Sequence, residues 1–189
     1  MFFTQSGCKP DDADPKKLYK DRHTFILCNP NAMFYQHMIN YPHAYYLRFF
    51  QQRNFNVLIW NYLGYGYSHR KGCGNISPEV VRKDGESVLR YCRNVLGLRG
   101  KIGVYGRSLG GLAASHLSKY VDMVVVDRSF ANLDDVAELK FYGKSALLLY
   151  KIATCCWDSN SSKRFIDMNH GRIIKENGDE EEDEDRIRL

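Results

Sequence analysis

The sequence predicts an α/β fold: a mostly parallel sheet of four or five strands with helices on both faces. Two observations predict this fold. Four short apolar runs alternate with stretches whose apolar residues recur at helical spacing, which is typical of βαβ units. The runs are continuously rather than alternately apolar, as in parallel strands that are buried on both faces.

The four predicted strands are residues 23–29, 56–62, 101–105 and 121–127. The first is closed by an Asn-Pro-Asn turn, and the second runs into the glycine-spaced loop Gly64-Tyr-Gly66-Tyr-Ser68. The third ends at Gly106, and the fourth is almost wholly β-branched. These boundaries place each turn at the end of a buried strand.

The predicted helices fill the intervals between the strands. Ser77 is expected to cap a helix with Pro78 at its first position and Glu79 near its positive end, and Gly97 is expected to stop it. Residues 109–120 and 133–142 are further helical segments, and residues 37–51 form an aromatic-rich one.

The composition excludes several classes of protein. At 189 residues, with 44% hydrophobic and 26% charged residues, the chain is neither disordered nor fibrous and has the size of one domain. The longest weakly polar run, residues 145–157, contains Lys151 and falls short of the roughly 20 apolar residues of a membrane-spanning helix. The amino terminus lacks the basic-then-apolar order of a signal peptide. We therefore expect a protein that is cytoplasmic or peripheral to a membrane.

The net charge of +5 is unevenly distributed. Residues 176–189 carry a net charge of −6 and form a predicted acidic tail, so residues 1–175 carry +11. The basic residues are scattered, and no nucleic-acid-binding motif is present, which predicts a solvated surface and no nucleic-acid partner. A basic body is also compatible with peripheral contact with an anionic membrane.

The cysteines predict neither a metal site nor a cofactor. None of the six forms a C-x-x-C pair or has a metal-ligand spacing with histidine. Cys28, Cys92 and Cys155 lie in apolar stretches, so we expect buried free thiols in a reducing compartment. The adjacent Cys155 and Cys156 are open to a second interpretation, a lipidation site.

The segment Gly106-Arg-Ser108-Leu-Gly110-Gly carries the chemistry. It matches G-x-S-x-G between a predicted strand and a predicted helix, the context of a nucleophile elbow. A serine on such a sharp, strained turn needs neighbours without side chains two residues away on each side. The start of a helix also favours a developing oxyanion. The competing interpretation is a glycine-rich turn with an ordinary capping serine.

The run GVYGRSLGG, preceded by WNYLGYGYS, resembles the α/β-hydrolase superfamily, in particular its serine-aminopeptidase-like branch of abhydrolase-domain lipases and depalmitoylases. The resemblance covers residues 24–133. It implies that Ser108 is the nucleophile and that the Leu109 backbone N–H is one oxyanion donor. Relatives often carry His-Gly-Asn after the first of these strands, where this chain has Asn29-Pro-Asn31, and Asn31 is the candidate for the second donor.

A catalytic acid and a base remain to be assigned. By the same resemblance, the spacing of Ile173-Ile-Lys-Glu-Asn-Gly-Asp179-Glu makes Asp179 a candidate acid, although Asp179 also opens a run of seven acidic residues. No histidine follows it. The alternative pairs Asp127, at the end of the fourth strand, with His170 as base, which keeps the chain order Ser, Asp, His.

These observations predict three segments: an N-terminal segment (residues 1–22), an α/β-hydrolase domain that is incomplete at both ends (23–175) and the acidic tail. The predicted function is hydrolysis of an ester, thioester or amide through an acyl-enzyme on Ser108, acting on a small acyl or peptide substrate. The alternative is a catalytically silent or truncated hydrolase-fold protein that serves as an interaction module.

Overall fold

A five-stranded sheet, four of whose strands run parallel, forms the centre of the part of the chain that the structure describes. The computed structural model describes residues 1–4, 19–40, 44–68 and 77–140, with residues 160, 162, 163 and 166. The spatial order of the strands is β1-β3-β2-β4-β5. Their bounds are β1 Phe2–Thr4, β2 Thr24–Cys28, β3 Asn56–Ile59, β4 Ile102–Arg107 and β5 Met123–Asp127.

All four predicted strands are present, and they are parallel to one another. β2 pairs with β3 on one side and with β4 on the other, and β4 pairs with β5. Cys28 lies opposite Gly106, and Arg107 lies opposite Asp127. The carboxyl ends of β2, β4 and β5 therefore meet at one edge of the sheet, and the predicted fold class is confirmed.

The edge strand β1 was not predicted. It comes from the N-terminal segment, where the sequence analysis assigns no element, and it pairs antiparallel with β3, with Phe3 opposite Leu58. Three residues are too few to carry a period-two pattern. The hydrogen-bonding edge of β3, which is a tertiary feature, determines where this strand forms.

The predicted helices after residues 77, 109 and 133 are present, whereas the single aromatic-rich helix predicted for residues 37–51 is wrong: the first helix here ends at Met38 and a second begins at Tyr45. Their bounds are α1 Tyr35–Met38, α2 Tyr45–Gln51, α3 Pro78–Arg90, α4 Gly110–Leu117 and α5 Leu133–Lys140. The Ser77 hydroxyl accepts a hydrogen bond from the Val80 backbone N–H (3.3 Å), so the predicted cap is confirmed. α3 continues as a π-helical turn through Val95, and Gly97 follows in the left-handed region at φ +65°, where glycine is favoured.

Two hydrophobic cores, one on each face of the sheet, explain the continuous apolarity of the inner strands. Alternate residues of a strand point to opposite faces. Ile26 and Leu58 pack with α3 and α4 on one face, whereas Phe25 and Leu27 pack on the other face with the cluster that includes Met38, Leu47 and Phe50 of α1 and α2. The predicted placement of helices on both faces is confirmed.

The prediction of burial on both faces is wrong for β5. Met123 and Val126 are 55% and 41% exposed. β5 pairs with β4 alone in the described sheet and is its last strand. A run of valines indicates β-propensity but does not distinguish a central strand from an edge strand.

Within the described residues, no helix is both long enough and apolar enough to cross a membrane. The acidic tail, Cys155 and Cys156 lie outside the described residues.

Candidate functional site

Ser108 lies on the turn between β4 and α4 in a left-handed backbone conformation. Its φ is +52°, a region that costs a non-glycine residue about 1–3 kcal/mol. Its N–H donates to the Asp127 carbonyl (3.1 Å), and its own carbonyl accepts from the Gly111 N–H (3.0 Å) and the Ser129 hydroxyl (2.7 Å). Three hydrogen bonds therefore hold the serine in an unfavourable conformation.

The glycines two residues before and after Ser108 are required by close backbone approach. A Cβ atom on Gly106 would overlap the Gly110 carbonyl oxygen and lie 2.6 Å from the Ala114 Cβ. A Cβ atom on Gly110 would overlap the Cys28 carbonyl oxygen and lie 2.7 Å from the attached carbon. The spacing predicted from the motif thus corresponds to two contacts that no side chain could occupy.

The turn leaves two polar groups without partners in the described part of the chain. The partly buried Ser108 hydroxyl makes no hydrogen bond there, and neither does the Leu109 backbone N–H, which immediately precedes α4. Helix N-termini attract negative charge because their N–H groups point away from the helix. A hydroxyl and a backbone donor, both without a partner among the described residues, are therefore adjacent on one partly buried turn.

The turn after β2 lies beside Ser108, as the parallel register requires. Asn29 is fully buried and is hydrogen-bonded to the segment that follows β3. Its side-chain amide donates to the Trp60 carbonyl, and the Tyr62 hydroxyl donates to the Asn29 carbonyl (2.7 Å). Asn31 is exposed, and its Oδ1 accepts from the Ala32 N–H (2.9 Å) and the Tyr65 hydroxyl (2.7 Å). Oδ1 is thus bound on two sides, whereas the Asn31 Nδ2 group has no hydrogen-bond partner among the described residues.

The loop from Gly64 to Ser68 braces that turn. Tyr65 supplies this contact with Asn31. Asn61, which precedes the loop, instead holds the start of α1, because its side-chain amide accepts from the Tyr35 N–H (2.8 Å) and donates to the Gln36 side chain (3.0 Å). Gly66 has φ +51°, and a Cβ atom there would lie 2.8 Å from the Asn61 Nδ2. Sequence reasoning identified this loop by its glycines but missed its connection to Asn31, which depends on a long-range tyrosine contact.

Asp84 of α3 anchors the start of this loop and supports a prediction about pH. Its carboxylate accepts from the Leu63 N–H (2.6 Å), and burial raises its pKa above 3.8. The ionised carboxylate therefore costs stability in the fold, and that cost develops as the pH rises from 3.8 through the folded-state pKa. Asp84→Asn, which keeps an acceptor for Leu63, is expected to raise the urea midpoint at neutral pH and not at low pH.

The control for Asp84→Asn is Asp135→Asn, an exposed aspartate in the first turn of α5. The measurement is the urea midpoint of each variant minus that of the wild type, taken at several pH values across the acidic range. This difference cancels the contribution of the other carboxylates, because they titrate in both proteins. A stabilisation by Asp84→Asn that is equal at every pH, or absent at neutral pH, would contradict the prediction.

Asp127, the alternative candidate for the catalytic acid, lies in a cluster of charged and phenolic groups at the end of β5. Its carboxylate accepts from the Tyr105 hydroxyl (2.6 Å) and from Arg128 Nε (3.1 Å), and Arg107 Nε lies 3.9 Å away. The Tyr105 hydrogen bond and the two guanidinium groups lower the pKa of Asp127. Its partners in the described part of the chain include no histidine.

The described histidines make other contacts and do not bond Ser108. His23 lies at the opposite edge of the sheet, where its Nδ1 accepts from the Lys101 N–H (3.1 Å). His37 is exposed on α1 beside Phe34, and His116 of α4 contacts Glu86 through Nε2 (2.6 Å). His170 and Asp179, the predicted base and the other predicted acid, lie outside the described residues, as do His43 and His69.

A small cavity lies where the carboxyl ends of β2 and β4 meet, on the face of the sheet that α1 and α2 cover. Its volume is about 160 Å³. Its lining includes Cys28, which touches Gly110, and Arg107, which precedes Ser108. The remaining wall is formed by methionine, tyrosine and proline side chains: Pro30, Met33, Met38, Tyr45, Tyr46 and Tyr105.

Neither a reactive thiol nor a metal cluster accompanies this turn in the described residues. Cys28 and Cys92 are buried and free, as predicted, and burial raises the pKa of each thiol to about 12. The thiolate, which is the reactive form, is therefore scarce at neutral pH. No group of three histidine, cysteine or acidic residues is placed to hold a metal ion in this part of the chain. No protein-family model matches the chain.

Proposed function

We propose that this protein is a serine hydrolase that cleaves an ester, thioester or amide bond through an acyl-enzyme on Ser108. The single observation that carries the proposal is the conformation of Ser108. It is held at φ +52° on a strand-to-helix turn whose flanking glycines admit no side chain. A strained residue that the surrounding contacts maintain is characteristic of functional sites, and this turn has the form of a nucleophile elbow.

The first chemical step is attack of the Ser108 hydroxyl oxygen on the substrate carbonyl carbon. A new C–O bond forms, the carbonyl oxygen becomes an oxyanion, and the hydroxyl proton passes to a base. The Leu109 N–H, which has no hydrogen-bond partner among the described residues, is adjacent to the serine and serves as one oxyanion donor. The Asn31 Nδ2 group, whose amide is oriented by Tyr65, is the proposed second donor.

The second step releases the leaving group and regenerates the serine. The leaving oxygen, sulfur or nitrogen takes the proton as its bond to the acyl carbon breaks, and water then attacks the acyl-enzyme to yield a carboxylic acid. The proposal keeps two candidates for the catalytic acid. One is Asp127, with His170 as the base, and the other is Asp179. The low pKa of Asp127 supports the first, because an orienting acid must be ionised.

Labelling with a fluorophosphonate tests the proposal. An activated serine attacks the phosphorus and displaces fluoride, which leaves a covalent adduct that peptide mapping locates. We expect a single adduct on the peptide that contains Ser108 and none on Ser87, an exposed serine of α3 that serves as an internal control. An adduct elsewhere, or none where a reference serine hydrolase is labelled fully, would overturn the proposal.

A second function is favoured by one observation: no histidine in the described residues bonds Ser108. It is a catalytically silent hydrolase fold that acts as an interaction module. A folded chain that forms no adduct and turns over no ester would support this second function.

A further inference from the structure

The cavity lined by Arg107 and Cys28 has the size and lining of a pocket for a small apolar group. Its volume of about 160 Å³ is close to that of an engineered apolar cavity that binds benzene, about 150 Å³. Met33, Met38 and Tyr45 line it and offer apolar contact to a few methylene groups. It adjoins the serine through Arg107, the preceding residue, and through Cys28, whose carbonyl contacts Gly110.

Arg107 is the one charged side chain among the residues that line this cavity in the described part of the chain. Its side chain is 36% exposed. Its Nη1 donates to the Tyr46 hydroxyl (3.0 Å), and its guanidinium carbon lies 5.7 Å from the centre of the Tyr46 ring. Tyr46 therefore holds the guanidinium against the cavity wall.

The charges around Arg107 do not balance. Asp127 is shared by two guanidinium groups, and Arg128 is the closer one at 3.1 Å, against 3.9 Å for Arg107. Asp127 also accepts from the Tyr105 hydroxyl. One carboxylate thus faces two cations, and the distance to Arg107 is longer than a hydrogen bond. Among the described residues, an excess positive charge therefore remains beside the cavity.

We infer that Arg107 selects acyl groups that end in a carboxylate, so that the substrates are monoesters or monothioesters of short dicarboxylic acids. This inference rests on the proposed hydrolase function and goes further by naming the substrate class. The acyl carbonyl lies at Ser108, the methylene groups contact the methionine and tyrosine wall, and the terminal carboxylate accepts hydrogen bonds from Arg107. Arginine suits this role because its planar donor fork matches a carboxylate.

The test compares two esters of equal chain length, mono-para-nitrophenyl glutarate and para-nitrophenyl pentanoate, which differ in a terminal carboxylate against a terminal methyl group. We expect the wild type to prefer the glutarate in kcat/KM. Arg107→Gln is expected to lower kcat/KM for the glutarate roughly tenfold to a hundredfold more than kcat/KM for the pentanoate, the range for a hydrogen bond to a charged group. Arg90→Gln, at a side chain of α3 that is 42% exposed, is the matched control.

Two further measurements keep the inference falsifiable if Arg107→Gln folds poorly. Arg107→Lys keeps the charge but removes the fork, and we expect an intermediate preference. In the wild type, the preference for glutarate should fall as NaCl rises from about 0.01 M to about 1 M, which shortens the Debye length from about 30 Å to about 3 Å.

The outcomes separate the two proposals. Ser108-dependent turnover of both esters without a preference for glutarate, or an equal loss on both in Arg107→Gln, would overturn the inference about Arg107 and leave the hydrolase proposal in place. Turnover of neither ester would overturn both proposals.

Discussion

Replacing Ser108 with alanine is expected to reduce ester turnover by about four to six orders of magnitude, the loss seen when a catalytic serine is removed. The physical reason is that alanine has no oxygen to form the acyl-enzyme bond. The backbone should remain in place, because the hydrogen bonds that hold the turn involve main-chain atoms of this residue and not its hydroxyl. The measurement is the initial rate of para-nitrophenyl ester hydrolysis, together with a urea unfolding curve.

Two companion variants make this result specific to the hydroxyl. Ser108→Gly should be equally inactive but more stable than Ser108→Ala by about 1 kcal/mol, because glycine adopts a positive φ without strain. Ser87→Ala on α3 removes an exposed hydroxyl that donates to the Lys83 carbonyl and should keep full activity. Turnover by Ser108→Ala at the wild-type rate would rule out Ser108 as the nucleophile.

Replacing Gly110 with alanine is expected to destabilise the fold by about 4 kcal/mol or more, which only a few mechanisms produce. The new Cβ atom would overlap the Cys28 carbonyl oxygen, a main-chain atom of a central strand that cannot rotate away. α4 would have to move away from β2, and the turn at Ser108 would move with it. Alanine's better helix propensity, about 1 kcal/mol, is too small to offset this cost.

The matched control for Gly110→Ala is Gly85→Ala, a second buried glycine in a helix. A Cβ atom at Gly85 would meet side-chain atoms, with Leu117 Cδ1 at 3.3 Å and the Ala113 Cβ at 3.4 Å. A leucine methyl group can shift by a few tenths of an ångström, so we expect a change within about 1 kcal/mol, since helix propensity favours alanine. Equal urea midpoints for Gly110→Ala and the wild type would show that the elbow tolerates a side chain.

Local patterns predicted much of the fold because they depend on burial and on backbone conformation. Residues 24–28 and 56–59 read as inner strands because both of their faces are covered, by α3 and α4 on one side and by α1 and α2 on the other. The helix cap at Ser77 and the helix end at Gly97 depend only on residues within one or two helical turns of them in the sequence. The position of Ser108 between a strand and a helix was predicted for the same reason.

Other features of the site could not be read from local patterns because they depend on residues that are far apart in the chain. Tyr65 reaches Asn31 across 34 positions, and Tyr105 reaches Asp127 across 22. Arg107 was visible as the variable residue in G-x-S-x-G, yet nothing in the motif indicates that it faces Tyr46 and a cavity. The available signals were an arginine inside the motif and a tyrosine two positions before that arginine, and both are common.

The sequence by itself determined the parallel α/β class, the strand-turn-helix around Ser108 and the need for glycine at positions 106 and 110, since these follow from short-range sterics and hydrophobic burial. Only the tertiary structure decided the order of strands, the addition of β1, the exposure of β5 and the two cations that share Asp127. These features arise where distant segments meet, and the pairing of edges and charges is settled by packing rather than by any local pattern.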